Sequence, residues 1–389
     1  MRAGRYVKQT GGFRAFIPAP LPPVPALGLG PELRLLLSEA DQEVGRLDGV
    51  ATVLPSPDLF VAMYVRHEAV LSSQIEGTQS TLDDVLEFEV DAAGDEHPKD
   101  VKEVVNYIAA LDYGLKRLAT LPLSLRLVRE IHQRLMAGTR GGNKTPGEFR
   151  RTQNFIGPAG CTLAEASFVP PPVHEMHEAL SNLEKFLHDR ESHSVLVQCG
   201  LVHAQFETIH PFLDGNGRIG RLLITFLLCE RQVLSRPLLY LSHYLKAHRA
   251  EYYDRLDGIR NSGDWEGWIS FFLRGVAEVS RSATHTARAI LGLRDVMRQK
   301  LSGGTNALRL LDYAFEHPLL TVRMAEAHLG TAYVTAAHAV EQLVAAGILK
   351  EITGSKRNRK FRFESYVSLF ESQIPGPEPR GRELTTRER

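Results

Sequence analysis

Cysteine is nearly missing from this chain, which carries only Cys161, Cys199 and Cys229. An odd, scattered set without metal-ligand spacing excludes a disulfide scaffold and a zinc site, and it suits a reducing cytosol. Net charge is missing too, since 46 Lys and Arg balance 46 Asp and Glu. The molecule as a whole has no pull toward nucleic acid or a membrane surface, so any such attraction must come from a local patch. No apolar run approaches the length of a bilayer span, and none precedes the proline-rich N-terminal stretch. Neither a membrane helix nor a signal peptide is expected. The expectation is a soluble, cytoplasmic protein with no membrane partner.

What is present is length and helical patterning. The 389 residues are enough for two or three domains with a substantial core. Residues 1–30 are rich in Pro and Gly and read as an extended arm, lying on the body or disordered. A helical region follows over 31–110, with one helix starting at Ser56-Pro57-Asp58 and running to about Gln74, Ser as its N-cap and Pro at its first position. An acidic break at Asp91 to Glu96 precedes further helices, and residues 111–300 form the main body. Within it, the Gly- and Pro-punctuated stretch 140–172 reads as a β-hairpin with a mobile tip. Gly303-Gly304 marks a boundary. Residues 304–370 then show three helical segments and two short strands around the basic turn Gly354 to Arg359, the pattern of a winged helix. The tail 374–389 is Pro- and charge-rich and reads as disordered. The fold class is therefore mainly α, a helical bundle with a small β-hairpin and a C-terminal winged-helix domain.

The chemistry concentrates in His210-Pro211-Phe212-Leu213-Asp214-Gly215-Asn216-Gly217-Arg218-Ile219-Gly220-Arg221. Pro211 and Gly215-Asn216-Gly217 stop one helix and permit the left-handed angles of a tight loop, which can aim successive N–H groups at one anion. The apolar run from Arg218 to Cys229 reads as a buried helix whose positive end faces the same point. Arg218 and Arg221 are three residues apart and share a face, so both can reach one polyphosphate. Asp214 can hold the Mg²⁺ that a nucleoside triphosphate carries. His210, with the near-neutral pKa of an ordinary imidazole, is left to take a proton from a nucleophile.

This string resembles the signature of the Fic family, HPFxDGNGRxxR, at every defined position, and the resemblance extends over roughly residues 30 to 300. It implies a protein adenylyltransferase that moves AMP from ATP onto a Ser, Thr or Tyr hydroxyl of a protein, this chain itself included. Carried over residue by residue, His210 would be the base and Asp214 the Mg²⁺ ligand. The amides of Gly215, Asn216 and Gly217 together with Arg218 would hold the α- and β-phosphates, and Arg221 the γ-phosphate. The hairpin over 147–169 matches the family's flap, which registers the target peptide as an added strand. Ser72-Ser73-Gln74-Ile75-Glu76-Gly77 resembles the family's inhibitory motif [S/T]xxxE[G/N], with Ser72, Glu76 and Gly77 at its defined positions. By that resemblance Glu76 would pair with Arg221 and keep it from the γ-phosphate, a contest between carboxylate and phosphate for one guanidinium. Gln205 and Tyr252 are further candidates for nucleotide contact, against ordinary helix packing. His67, His132 and His174 read as surface or core histidines.

Three classes of function stay open at this level. One is the adenylyltransferase restrained by its own glutamate. Another is a different Fic-type phosphotransfer, or a hydrolase that removes AMP. The third is a DNA-binding regulator using the winged helix, although its second helix, around Thr331 to Ala345, is Ala-rich with few base-reading side chains. A homodimer is open as well.

Overall fold

The expected mainly helical fold is what the chain adopts, and its axis is a pair of helices with almost no exposed face. The computed structural model describes residues 2–371 apart from 54–56, 92–99, 140, 141, 143, 159, 302, 303 and 355–357. Ser56, most of the acidic break at Asp91 to Glu96, Gly303, Lys356, Arg357 and the tail from 374 lie outside the described residues.

The first thirty residues are a correction to the arm expected there. Strands β1 (Gly4–Lys8) and β2 (Arg14–Pro18) pair antiparallel, with Tyr6 opposite Phe16. The turn is closed by Gly12, whose φ of 83° suits a residue without a Cβ. Ala15 and Phe16 are buried, and the Phe16 N–H donates to Val169 O at 2.9 Å. Proline and glycine content suggested an extended arm, on the body or disordered; it does lie on the body, but as two five-residue strands paired with each other.

Next come α1 (Pro31–Val53), α2 (Pro57–Ile75), α3 (Leu82–Val90), α4 (Val101–Leu118) and α5 (Leu125–Leu135). Thr81 caps α3 with a reciprocal Thr81–Asp84 box, and Ser124 caps α5. The stretch expected to be a β-hairpin narrows to one bridge, Ile156 with Phe168, whose two hydrogen bonds measure 2.9 and 3.0 Å. Helices then run without further strands through α6 (Val173–Leu187), α7 (Val195–Ile209), α8 (Asn216–Glu230), α9 (Ser242–Ala247), α10 (Arg249–Ser262) and α11 (Trp265–Lys300).

Helix α7 is buried from Leu196 to Ile209 and α8 from Asn216 to Leu228, because both carry apolar residues all the way round. Each fully buried Leu or Phe in the pair contributes roughly 1.5–3 kcal/mol. The same enclosure buries His203, Gln205, Glu207, Arg218 and Arg221. Buried polar groups are costly unless paired, so their partners locate the site.

The C-terminal part holds α12 (Thr305–Glu316), β3 (Leu319–Thr321), α13 (Val322–Leu329), α14 (Tyr333–Ala345), β4 (Lys350–Glu351), β5 (Lys360–Arg362) and α15 (Glu364–Glu371). Its sheet has the order β3-β5-β4, antiparallel throughout. Strand β3 and helix α15 are additions to the three helices and two strands expected. The part packs on α2 and α3: Phe370 lies edge-on to Tyr64 at 5.1 Å, and Arg362 meets Asp83 at 3.0 Å.

Candidate active site

Helix α7 ends at His210, which adopts a left-handed conformation at φ 50° and ψ 59°. A non-glycine residue there costs on the order of 1–3 kcal/mol and persists only where its surroundings dictate it. The surroundings do. The His210 carbonyl accepts from Arg150 Nε and Asn154 Nδ2, each at 3.1 Å. Arg150 is fully buried and also donates to the carbonyls of Thr152 and Pro171. Asn154 reaches Phe212 O at 2.9 Å, and Asn216 closes the loop by exchanging two hydrogen bonds with the Phe212 backbone at 2.8 and 2.9 Å. His132 stacks on Phe212 with ring centroids 3.7 Å apart. Its Nδ1 accepts the Gly147 N–H at 2.9 Å, so Nε2 carries the proton and donates to Asp214 O at 3.0 Å. Arg150, Asn154 and His132 therefore set the loop, and sequence reading missed all three in that role. They lie dozens of residues upstream, and no local pattern marks them.

Beyond the loop, Gly215 caps α8 at φ 76°, and the first intrahelical bond runs from Ile219 N–H to Gly215 O at 3.1 Å. The amides of Asn216, Gly217 and Arg218 thus precede the helical ladder at its positive end. Asp214 Oδ1 accepts the Gly215 N–H at 2.7 Å, while Oδ2 lies 3.3 Å from Lys144 Nζ and a third of the side chain stays exposed. Among the described residues no three His, Cys, Asp or Glu side chains group to hold a metal by themselves. A single partly exposed carboxylate fits a metal whose other ligands come from a bound molecule and water, the habit of Mg²⁺.

The two arginines have separate partners. Arg218 is held by Glu103 of α4 at 3.0 Å, both side chains only 4 % exposed. Arg221 donates to Ser72 Oγ at 2.7 Å, to Ser72 O at 2.8 Å and to Glu76 Oε1 at 2.7 Å. Glu76 lies directly over Gly217, where any Cβ would collide with its carboxylate. Burial raises the Glu76 carboxyl, but the charge and hydrogen bond of Arg221 outweigh it and hold the group below its ordinary value. Glu207, one turn before His210, packs its Oε1 against Gly220; burial pushes it up to about 7 against the pull of Arg221. That oxygen has no hydrogen-bond partner among the described residues.

His210 differs from the near-neutral imidazole expected, because burial pushes it down to about 4 and keeps it neutral at physiological pH. Gln205 and Tyr252, candidates for nucleotide contact or for packing, both make packing contacts here. Gln205 donates to Ala19 O at 2.8 Å, which ties it to the N-terminal hairpin. Tyr252 is buried and its hydroxyl sits 3.0 Å from His203 Nε2, while His203 Nδ1–H donates to Gly220 O at 2.9 Å. Both are packing residues in this arrangement. The neighbouring Tyr253 is the exposed one, and its phenol feels Glu76 and Arg221. The alternation that separates Tyr252 from Tyr253 depends on how α10 is turned, which the sequence does not state.

Comparison with known proteins converges on the same elements. A family model described as Fic/DOC family N-terminal matches residues 34–116, and one described as Fic/DOC family matches 122–228. The chain belongs to the Fic/DOC family. Among curated proteins, this Fic chain is 30% identical over 209 residues to one named protein adenylyltransferase Fic from Drosophila grimshawi, covering 51% of this chain and 38% of that protein. A protein of the same name from Culex quinquefasciatus is 33% identical over 178 residues, covering 43% of this chain and 31% of its own length. The chain thus spans about a third of these relatives. A crystal structure of a Fic family protein from Desulfovibrio desulfuricans superposes with a TM-score of 0.57 at 20% identity, covering 87% of this chain and 97% of the other. That likeness establishes the fold. No helix among the described residues is long and apolar enough to cross a membrane.

Proposed function

We propose that this Fic chain is a protein adenylyltransferase that moves AMP from ATP to a Ser, Thr or Tyr hydroxyl, restrained by Glu76 acting on Arg221. The observation that supports it best is the conjunction at the α7–α8 loop: a neutral, partly buried imidazole, a partly exposed carboxylate and three amides at a helix N-terminus. The names of the curated relatives support the same reaction. In this reading the His210 ring takes the hydroxyl proton as the target oxygen bonds to the α-phosphorus. The bond from that phosphorus to the bridging oxygen of the β-phosphate breaks, and pyrophosphate leaves. The amides of Asn216 and Gly217 and the side chain of Arg218 hold the charge that builds on the phosphates, while the Gly215 N–H holds the Asp214 carboxylate in place. Glu103 occupies one face of the Arg218 guanidinium and fixes its direction, leaving other N–H donors of the five for phosphate. Asp214 would hold the Mg²⁺ that arrives with ATP.

Glu76 occupies the place over Gly217 and Arg221 that a γ-phosphate would take, so ATP and Glu76 compete for one cation. Intact-mass spectrometry of the purified protein with ATP and Mg²⁺ tests the reading: addition of one AMP, greater in Glu76→Gly, is expected. No addition to this chain or to any protein of its host lysate would refute it. A second reading is favoured by the proximity of Glu76 to His210, each of which shifts the other's titration. There Glu76 positions a water and the chain removes AMP; loss of AMP release in Glu76→Gly would select it. Residues 304–370 we read as a winged-helix-like module. Its α14 exposes Tyr333 and Val334, a surface suited to protein more than to DNA phosphate.

A further inference from the structure

Glu68 and Ser72 on α2 and Glu76 in the turn that follows it are spaced four residues apart, and the charge of Arg221 acts on both carboxylates while its guanidinium bonds Ser72. The last two belong to the inhibitory motif. Glu68 does not, yet it is only 3 % exposed, and a buried carboxylate needs an explanation. Its Oε1 accepts the Tyr107 hydroxyl at 3.0 Å and the Ser242 hydroxyl, and its Oε2 accepts the Ser242 N–H at 3.3 Å. The Ser72 hydroxyl lies close enough to the Tyr107 phenol to lower its pKa, against the burial that raises it.

These contacts have one direction. Arg221 Nε can only donate, so Ser72 Oγ accepts from it. The single Ser72 proton then goes to the Tyr107 oxygen, and the Tyr107 proton goes to Glu68. We propose that Glu68 is a positioning residue for Arg221, acting through Tyr107 and Ser72 to keep the Ser72 oxygen turned toward the guanidinium whether or not Glu76 is in place. Without the carboxylate, the Tyr107 proton turns to Ser72 and competes with Arg221 for the same oxygen. Glu68 is also a counter-charge to Arg221 that stays when Glu76 leaves; burial pushes its carboxyl up to about 7, against the donors Ser242 and Tyr107 and the charge of Arg221. The inference rests on Arg221 as the γ-phosphate group of the proposed function.

The test is calorimetric binding of Mg²⁺–ATP and Mg²⁺–ADP at pH 8, where Glu68 is ionised. The full chain carries Glu76→Gly, alone and combined with Glu68→Leu, which leaves the Tyr107 hydroxyl no acceptor at that place, or with Tyr107→Phe. Glu76→Gly alone should prefer ATP. Adding either second change should cut the ATP-to-ADP preference by about tenfold, the worth of one well-made hydrogen bond to a charged group. ADP affinity should stay within a factor of about two, since ADP never meets Arg221. A preference that survives in whichever double variant melts cooperatively overturns the proposal, as does an equal loss of both nucleotides. No ATP preference in Glu76→Gly itself overturns the reading of Arg221, and the proposal with it.

Discussion

Removing the Glu76 carboxylate is the perturbation with the clearest structural magnitude. Arg221 is 2% exposed at its side chain and Glu76 33%, joined by one charge-assisted hydrogen bond of 2.7 Å. Such a bond contributes roughly 1.5–3 kcal/mol when buried, and the solvent reaching Glu76 places this one at about 1.5–2 kcal/mol. At about 1.36 kcal/mol per decade, its loss should raise the rate of AMP transfer about 10- to 30-fold. Folding should suffer little, because Arg221 keeps both bonds to Ser72 and Glu76 no longer needs desolvating. The assay is AMP incorporation at subsaturating ATP by intact-mass spectrometry, on wild type, Glu76→Gly, Arg221→Ala and the double variant. The double variant should match Arg221→Ala, since the guanidinium freed by one change is the group the other deletes. A Glu76→Gly rate equal to wild type would refute the reasoning, and so would a gain that persists without Arg221.

The other expectations are more local. His210→Ala should lower transfer by on the order of 10²–10⁴-fold with ATP affinity retained, because phosphate contacts come from the loop and the arginines; kinetics paired with equilibrium binding check it. Asp214→Ala should lose the Mg²⁺-dependent part of ATP affinity, read as the difference in binding with and without Mg²⁺, and an unchanged difference would remove Asp214 from the metal. Glu103→Gln should destabilise the fold by up to roughly 3–5 kcal/mol in urea titrations, because it leaves the buried Arg218 charge with only the more distant Asp214 carboxylate at 3.7 Å. Glu207→Gln should be pH-dependent in the opposite sense to a paired carboxylate. Its folded pKa of about 7 lies above its ordinary 4.5, so its contribution is intact below the lower value and is lost as pH rises through the upper one. The variant should then gain about 1–3 kcal/mol over wild type between pH 5 and pH 8, and an equal difference at both pH values would contradict the assignment.

Some of this was legible in one dimension because its physics is local. A run of His, Pro, Asp, Gly-Asn-Gly and Arg declares a helix stop, a left-handed loop and a helix start, whatever surrounds it. The caps at Thr81 and Ser124 and the long apolar helices are local in the same way. Local propensity was also where reading went astray: Pro and Gly near the N-terminus suggested an arm, but β1 and β2 pair as a hairpin that docks through the Phe16 N–H on Val169 O, a contact no propensity records. The near-neutral His210 was a property of an imidazole in water, and burial inside the helix pair moved it.

Tertiary structure alone decided who partners whom. Glu103 and Arg218 are 115 residues apart, and Ser72 and Arg221 are 149. The motif resemblance pointed Arg221 to Glu76, but Arg218 could have met any of the chain's 46 acidic residues. Which one it meets follows from how α2 and α4 cross α8, set by apolar packing that is indifferent to charge. The rotation of α10 likewise buried Tyr252 against His203 and left Tyr253 at the surface. Chemical capacity belongs to the residues in order along the chain. Pairing, burial and the pKa values that follow belong to the packing, because desolvation and Coulomb energy depend on distances that sequence separation does not encode.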